Sequence, residues 1–302
     1  MHTPASLHNN LSPRWLEAIR AEIILQWKFN RYDISATLIP GVLFVLAAWH
    51  GSPPDWRALP STLFWGSLYF WLYCSVFCIS NQLAGEHEDQ INKPDRPLPA
   101  GLVTRQGAWV RWFVVMGLYA LVGWYLGVLV WTLLWQTALV LHNQGLWSRH
   151  YWTKNLVMVT GSVAQLAAAW EMVRPLTPVV WAWILVPALT LLSHVSLQDM
   201  RDIEGDRAIG RRTLPIVFGE RWSRLFLAIA FGLLPLATHF VLMAPEGSRP
   251  DVLVLNVLLA SLSLTIAGRV LWLRSPSADH VSYMLYTYWY CFVLAAAIVV
   301  LR

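Results

Sequence analysis

Apolar residues run through this chain in long, near-continuous stretches, each ended by a short polar one. Nine such stretches stand out, at approximately 34–50, 60–84, 107–126, 127–142, 155–171, 177–198, 222–244, 252–273 and 283–301. Runs of roughly 18 apolar residues or more predict membrane-spanning helices. A lipid-exposed backbone must satisfy its own hydrogen bonds, so each run is expected to be an α-helix. The third and fourth are separated only by a tight turn near Gly123 and Gly127. The expected fold is all-α and integral to a membrane: one domain over residues 1–302 with nine transmembrane helices around a central cavity.

The segment before the first run is patterned differently. "SPRWLEAIRAEIILQWKFNRY" opens on Ser12-Pro13, a helix-start signal. Trp15, Ile19, Ile23 and Trp27 recur every four residues and form one stripe, with Arg20, Lys28 and Arg31 nearby. Residues 1–32 therefore suit an interfacial helix lying in the headgroup layer. A helix packed on the bundle fits the pattern equally well.

Composition agrees with the pattern. The hydrophobic fraction is 57%, the charged fraction 13% and the mean hydropathy +0.48, where soluble domains carry about 25% charged residues. A single core in water could not absorb so many long apolar runs. Membrane lipid is the expected surrounding partner, and no nucleic acid is expected. No apolar segment followed by a small-residue cleavage site occupies the first 30 residues, so no cleavable signal is expected. Cys74, Cys78 and Cys291 all fall in apolar runs, where they read as small packing residues.

Lysine and arginine orient the bundle. With the N-terminus in the cytoplasm, 17 cations fall on that side and 4 (Arg57, Arg174, Arg249 and Arg302) on the other, with Arg269 inside a span. That bias predicts a cytoplasmic N-terminus and an external C-terminus.

The chemistry is concentrated where the second and sixth runs end. "SLQDMRDIEGDRAIGRRTLPIVFG" (196–219) places Asp199, Asp202 and Asp206 at i, i+3 and i+7, one face of a helix. Three carboxylates on one face repel one another unless a cation sits between them, and hard oxygen ligands suit Mg²⁺. "NQLAGEHEDQINKPDRPLPAG" (81–101) offers Asn81, Glu86, Glu88 and Asp89 in the same way. Both stretches lie on the cytoplasmic side and can face each other across a cavity. Each is followed by a basic, proline-containing tail, "NKPDRPLP" and "GRRTLP". Carboxylates beside fixed cations point to a metal–polyanion site, since Mg²⁺ commonly joins a few carboxylates to substrate phosphates.

These stretches resemble the paired motifs of the UbiA superfamily of intramembrane prenyltransferases, and the resemblance covers nearly the whole chain. The second motif matches completely as Asp199, Asp202 and Asp206. The first departs: Asn81 and Asp89 match, but Gln82 and Gly85 stand where the family has aspartates, with Glu86 and Glu88 available to compensate. The Asn81-Gln82 and Glu88-Asp89 pairs, the "NKPDRPLP" tail and "HNQGLWSRHYWTKNL" (142–156) are similar to the terpene-cyclase branch.

The resemblance implies an isoprenyl diphosphate substrate, such as farnesyl diphosphate, with Mg²⁺ as cofactor. It implies Asn81, Glu86, Glu88, Asp89, Asp199, Asp202 and Asp206 as metal ligands; of these, Glu88, Asp89 and the three aspartates of the second motif are the catalytic set. It also implies Lys93, Arg96, Asn143, Lys154, Asn155, Arg211 and Arg212 as diphosphate-binding groups. The active site then opens on the cytoplasmic side, with the hydrocarbon tail inside the bundle.

Loss of diphosphate leaves an allylic cation that must be kept from water. Its own double bonds can capture it, which is cyclisation to a terpene, or a small-molecule acceptor, aromatic or lipid, can, which is prenyl transfer. The 19 Trp, 10 Tyr and 11 Phe favour the first, since a desolvated aromatic face stabilises a cation by roughly 0.5–2 kcal/mol. "WYLGVLVWTLLW" (124–135) and "YMLYTYWY" (283–290) are the expected cavity lining. Acids near helix ends also occur in transporters, but those place substrate near the midplane on broken helices, and here the acids end the spans. Glu171 is expected at the far surface, and His194 as a hydrogen-bonded interior histidine.

Overall fold

The computed structural model describes residues 14–51, 56–247 and 249–301; Ser12, Pro13 and Arg302 lie outside them. The fold is all-α, 83% helical, with no strand among the described residues. Helix α1 spans Arg14–Asn30 and bends by 64° into α2, Leu38–His50. The 34-residue α3 is Leu59–Asn92, followed by α4 Arg105–Tyr125, α5 Leu129–Asn143 and α6 Tyr151–Glu171. Then come α7 Pro178–Thr190 and three short helices: α8 Leu197–Arg201, α9 Ile203–Ala208 and α10 Leu214–Phe218. Helices α11 Glu220–Ala237, α12 Pro250–Trp272 and α13 Pro276–Val300 complete the chain.

All nine apolar runs are helical. Among the described residues, six helices are long and apolar enough to cross a membrane, with α7 continued through α8 (Pro178–Arg201) as one of them and α11 continued to Glu246 as another, or seven if the bent pair α1–α2 counts as one span. The difference from the expected nine is physical. Helix α5 has 15 residues, about 22 Å at 1.5 Å per residue, short of a hydrocarbon core of roughly 30 Å. Helix α2 has 13 residues. Helix α6 is long enough but buries Asn155, Ser162 and Gln165 toward the bundle.

Sequential helices pack as neighbours from α2 to α7. The turn continuing α11, Thr238–Met243, packs on α7, and α11, α12 and α13 follow until α13 returns to α2. The bundle is thus a closed ring with an interior. Phe44, Phe70, Trp183, Phe231 and Trp289 are buried within it. The outer faces are apolar too: in α12 only 22% of the apolar window is buried, and Phe113, Trp124, Phe240 and Trp272 are exposed. Apolar surface on that scale needs lipid as its solvent, and the protein is an integral membrane protein. The Trp15, Ile19, Ile23 and Trp27 stripe of α1 is exposed in the same way.

Two breaks place the polar groups. Gly85 has non-helical φ/ψ (−107°, 18°) inside α3, bending the helix within the first acidic stretch. The second stretch is not the single helix that the i, i+3, i+7 spacing implies. Asp202 (φ −102°, ψ 13°) ends α8 and precedes α9, so Asp199 and Asp206 stand on different short helices. The break directs each carboxylate to a different cation. Gly205 lets α9 dock: a Cβ there would lie 2.1 Å from Asn92 Nδ2 at the end of α3.

Candidate active site

The ring encloses a chamber whose empty space, counted out to the open solvent at its mouth, is about 1260 Å³. Both acidic stretches reach its mouth. Asp199, Asp202, Asp206, Glu88, Asn81, Lys93, Arg96, Lys154 and Arg211 all line it. Below them the wall is aromatic: Tyr73, Phe77, Trp135, Tyr283, Tyr286 and Tyr290. Tyr73 and Trp135 stack with centroids 4.8 Å apart. The close approach of Gly161 makes room for the indole, since a Cβ there would lie 2.4 Å from Trp135 Cζ3.

At the mouth every acid meets a cation. Lys154 donates to Asp199. Arg211 Nη1 reaches Glu88 at 2.7 Å and Asp206 at 3.2 Å, and Arg201 reaches Asp202 at 3.0 Å. Arg96 Nη1 donates to both oxygens of Asp89, at 2.9 and 3.0 Å, and its Nη2 lies 3.8 Å from Asp33. Burial acts to lower the Arg96 pKa, but Asp33 and Asp89 more than offset it and raise it. Lys93 forms no salt bridge among the described residues. Burial, and then the Arg96 charge beside it, push its ammonium pKa down.

The groups left without partners are informative, because buried polar atoms are nearly always satisfied. Asp199 and Asp206 each keep one buried oxygen, Oδ2, with no donor, and Arg96 keeps a buried Nε with no acceptor. Unpaired carboxylate oxygens fit a divalent cation, and unpaired cationic donors fit a polyanion. The residues of the second stretch therefore fit Mg²⁺. Those of the first fit it less well as they stand: Asp89 is held by Arg96, Glu88 by Arg211, and Glu86 by Arg105 at 2.6 Å. Among the described residues, no three acids, histidines or cysteines are gathered as a ready metal cluster.

Five expected site residues do not line the chamber: Glu86, Asp89, Asn143, Asn155 and Arg212. Asn155 Nδ2 donates to Leu192 O and Ser196 Oγ, both at 2.9 Å, pinning the break before α8 that carries Asp199. Asn143 Nδ2 donates to Ser80 Oγ at 2.9 Å, tying α5 beside Asn81. Arg212 is exposed, and its backbone pairs with Arg149 and Tyr151. Gln82, where the family has an aspartate, is buried and donates to Phe29 O at 3.2 Å.

Of the two aromatic stretches, 283–290 supplies Tyr283, Tyr286 and Tyr290, while 124–135 supplies only Trp135. Trp124 and Tyr125 are exposed. His194 is interior, its Nδ1 3.0 Å from Thr190 O, and Glu171 is exposed and accepts from Trp131 Nε1. Cys74 and Cys78 are buried free thiols.

Sequence reasoning missed Asp33, Phe77, His142 and Gln198 on the chamber wall. Asp33 carried a signal: it is a carboxylate at the very start of an apolar run. The others are ordinary residues of helices whose inward face only packing defines.

Residues 37–300 match the UbiA prenyltransferase family. Somaliensene A/B synthase of Streptomyces somaliensis is 46% identical over 283 residues, 93% of this chain and 94% of that protein. Two Hericium erinaceus proteins also align: the diterpene cyclase eriG at 38% (92% of this chain, 88% of that protein) and the polyprenyl transferase eriF at 36% (90% and 93%). The solved UbiA homologue of Archaeoglobus fulgidus bound to GPP and Mg²⁺ superposes with a TM-score of 0.64. It is 15% identical and covers 90% of this chain and 99% of its own, a likeness of fold. The family match over most of the chain, together with relatives aligned along nearly their full length, establishes that this chain is an enzyme of the UbiA prenyltransferase family.

Proposed function

We propose that the enzyme ionises an isoprenyl diphosphate, such as farnesyl diphosphate, in a Mg²⁺-dependent step and cyclises the resulting cation to a terpene, releasing pyrophosphate. The observation that carries this reading is the complementarity of the mouth to a metal diphosphate. Buried carboxylate oxygens of Asp199 and Asp206 lack donors, and the Nε of Arg96, which lines the same aromatic chamber, lacks an acceptor.

Asp199, Asp202 and Asp206 would hold the metal, which supplies positive charge to the departing diphosphate. Lys93, Arg96, Lys154 and Arg211 bind and orient the diphosphate oxygens. Arg96 presents only part of its fork, because Asp89 holds Nη1; Asp89 and Asn155 act as positioning residues. The C1–O bond breaks heterolytically and its electron pair stays on the leaving oxygen. A double bond of the same chain then attacks the allylic carbon, and loss of a proton from a carbon next to the final cation restores an alkene. Tyr73, Phe77, Trp135 and Tyr286 line the space below the mouth, exclude water and face the cation with π-density. In this reading nine helices form the bundle that holds the chamber, α1 lies in the headgroup layer, and the mouth opens to the cytoplasm, as the lysine and arginine bias favours.

The second reading is prenyl transfer to an aromatic or lipid acceptor, favoured by the 36% identity to a polyprenyl transferase. One experiment separates the two. The purified protein is incubated with farnesyl and longer isoprenyl diphosphates and Mg²⁺, without acceptor, and the organic extract is analysed. Cyclisation yields terpene and equimolar pyrophosphate. Turnover that appears only when an acceptor is added would replace cyclisation with transfer.

A further inference from the structure

A second pocket adjoins the mouth, with empty space of about 670 Å³ counted out to solvent. It shares Asn81, Glu88, Ser148 and Arg211 with the chamber, so the two are neighbours across one wall. The Arg211–Glu88 contact at 2.7 Å stands in that wall. On the chamber side the same guanidinium reaches Asp206 at 3.2 Å. The lining has no aromatic ring apart from the His87 imidazole, unlike that of the chamber.

Its outer side carries one arginine and one imidazole that have no carboxylate partner among the described residues. These are Arg149 and His87, and both are exposed. Arg149 is held by its backbone. It ends the 3₁₀ turn Trp147–Arg149, which follows Leu146 in left-handed backbone (φ 61°), and its carbonyl accepts from Arg212 N at 2.7 Å. The turn therefore fixes the backbone from which the guanidinium extends.

We propose that this pocket binds inorganic pyrophosphate as it leaves the reaction site, with Arg211 passing the anion from the chamber mouth to Arg149. The inference rests on the reading that a diphosphate is cleaved in the chamber. The two products need different routes: the hydrocarbon partitions into lipid, while the polyanion must reach water. A basic pocket on the polar flank of the mouth gives the anion a path that does not cross the apolar chamber. No bond is made or broken on it. The anion would pass from one set of cationic donors to the next, and Glu88 would pair again with Arg211 once it has gone.

The test uses the full-length protein in detergent, with Arg149→Glu and Arg149→Lys. Inorganic pyrophosphate with Mg²⁺ is titrated calorimetrically and also added as an inhibitor of turnover. Reversing the charge is expected to weaken pyrophosphate binding and inhibition about tenfold or more, the effect of losing one charge-assisted contact. Steady-state turnover should fall while product formed in a single turnover keeps its wild-type rate, and Arg149→Lys should retain most of the binding. Unchanged pyrophosphate binding in Arg149→Glu would overturn the proposal. So would an equal loss in single-turnover and steady-state rates, which would place Arg149 in the substrate site. If Arg149→Glu does not fold, His87→Glu on the same pocket wall makes the same measurement. Wild-type protein that binds pyrophosphate but turns over no isoprenyl diphosphate would sink the functional reading and leave the pocket standing.

Discussion

The pair Lys154–Asp199 offers the sharpest test of how the mouth is held together. Asp199 is 1% exposed and the Lys154 side chain 13%. The aspartate keeps Oδ2 with no donor, so the lysine is its principal compensation. Lys154→Met removes the charge at similar volume and leaves a buried carboxylate uncompensated, which costs about 3–5 kcal/mol. Asp199→Asn alone strands a buried ammonium at similar cost. The double variant removes both charges from a site already out of water, and it should recover most of the loss, since replacing a buried pair outright is often near neutral. The expected coupling energy is about 2–3 kcal/mol. It is read from the unfolding free energies of the four proteins in mixed detergent without divalent metal. Added Mg²⁺ should restore part of the stability of Lys154→Met, where the freed carboxylate gains a ligand, and should do little for the double variant. Single-variant losses that simply add, with coupling under about 0.5 kcal/mol, would refute the reasoning: the carboxylate would then be hydrated or neutral, and the mouth not an ion-paired site.

Two further outcomes follow from the packing of the acidic stretches. Gly205→Ala should cost about 1–3 kcal/mol by overpacking and depress pyrophosphate release, because the new methyl would sit 2.6 Å from Asn92 Cγ; adding Asn92→Ala should restore both, and failure to do so would place the strain elsewhere. Glu86→Gln should leave pyrophosphate release near wild type, since it loses only a half-exposed pair with Arg105 worth about 0–1 kcal/mol, whereas Asp206→Asn should nearly abolish it; equal effects in that assay would return Glu86 to the metal site.

Much was legible in one dimension. Long apolar runs could only be helices in lipid, and each of the nine is helical. The second acidic stretch stood out as a candidate site because four carboxylates and four arginines between Asp199 and Arg212 have few bland explanations. The resemblance to the UbiA superfamily rested on the same residues together with the first acidic stretch. These are local properties: hydropathy and charge act on the segment that carries them, so spacing along the chain is enough to read them.

What only the tertiary structure decided is which charge meets which. The sequence treats Glu86, Glu88 and Asp89 as equivalent acids, yet Arg105, Arg211 and Arg96, remote on the chain or beyond the α3 terminus, take one each. Helical spacing put Asp199, Asp202 and Asp206 on one face, but the break at Asp202 sends them to Lys154, Arg201 and Arg211. Asn143 and Asn155 look like ligands in the sequence and serve as pins between helices in the fold. Nor does hydropathy tell an aromatic that faces lipid from one that faces a chamber: Trp124, at the end of α4, is exposed while Trp135 of α5 lines the chamber. A bilayer and a protein interior are equally apolar, so only the closing of the helical ring separates the two.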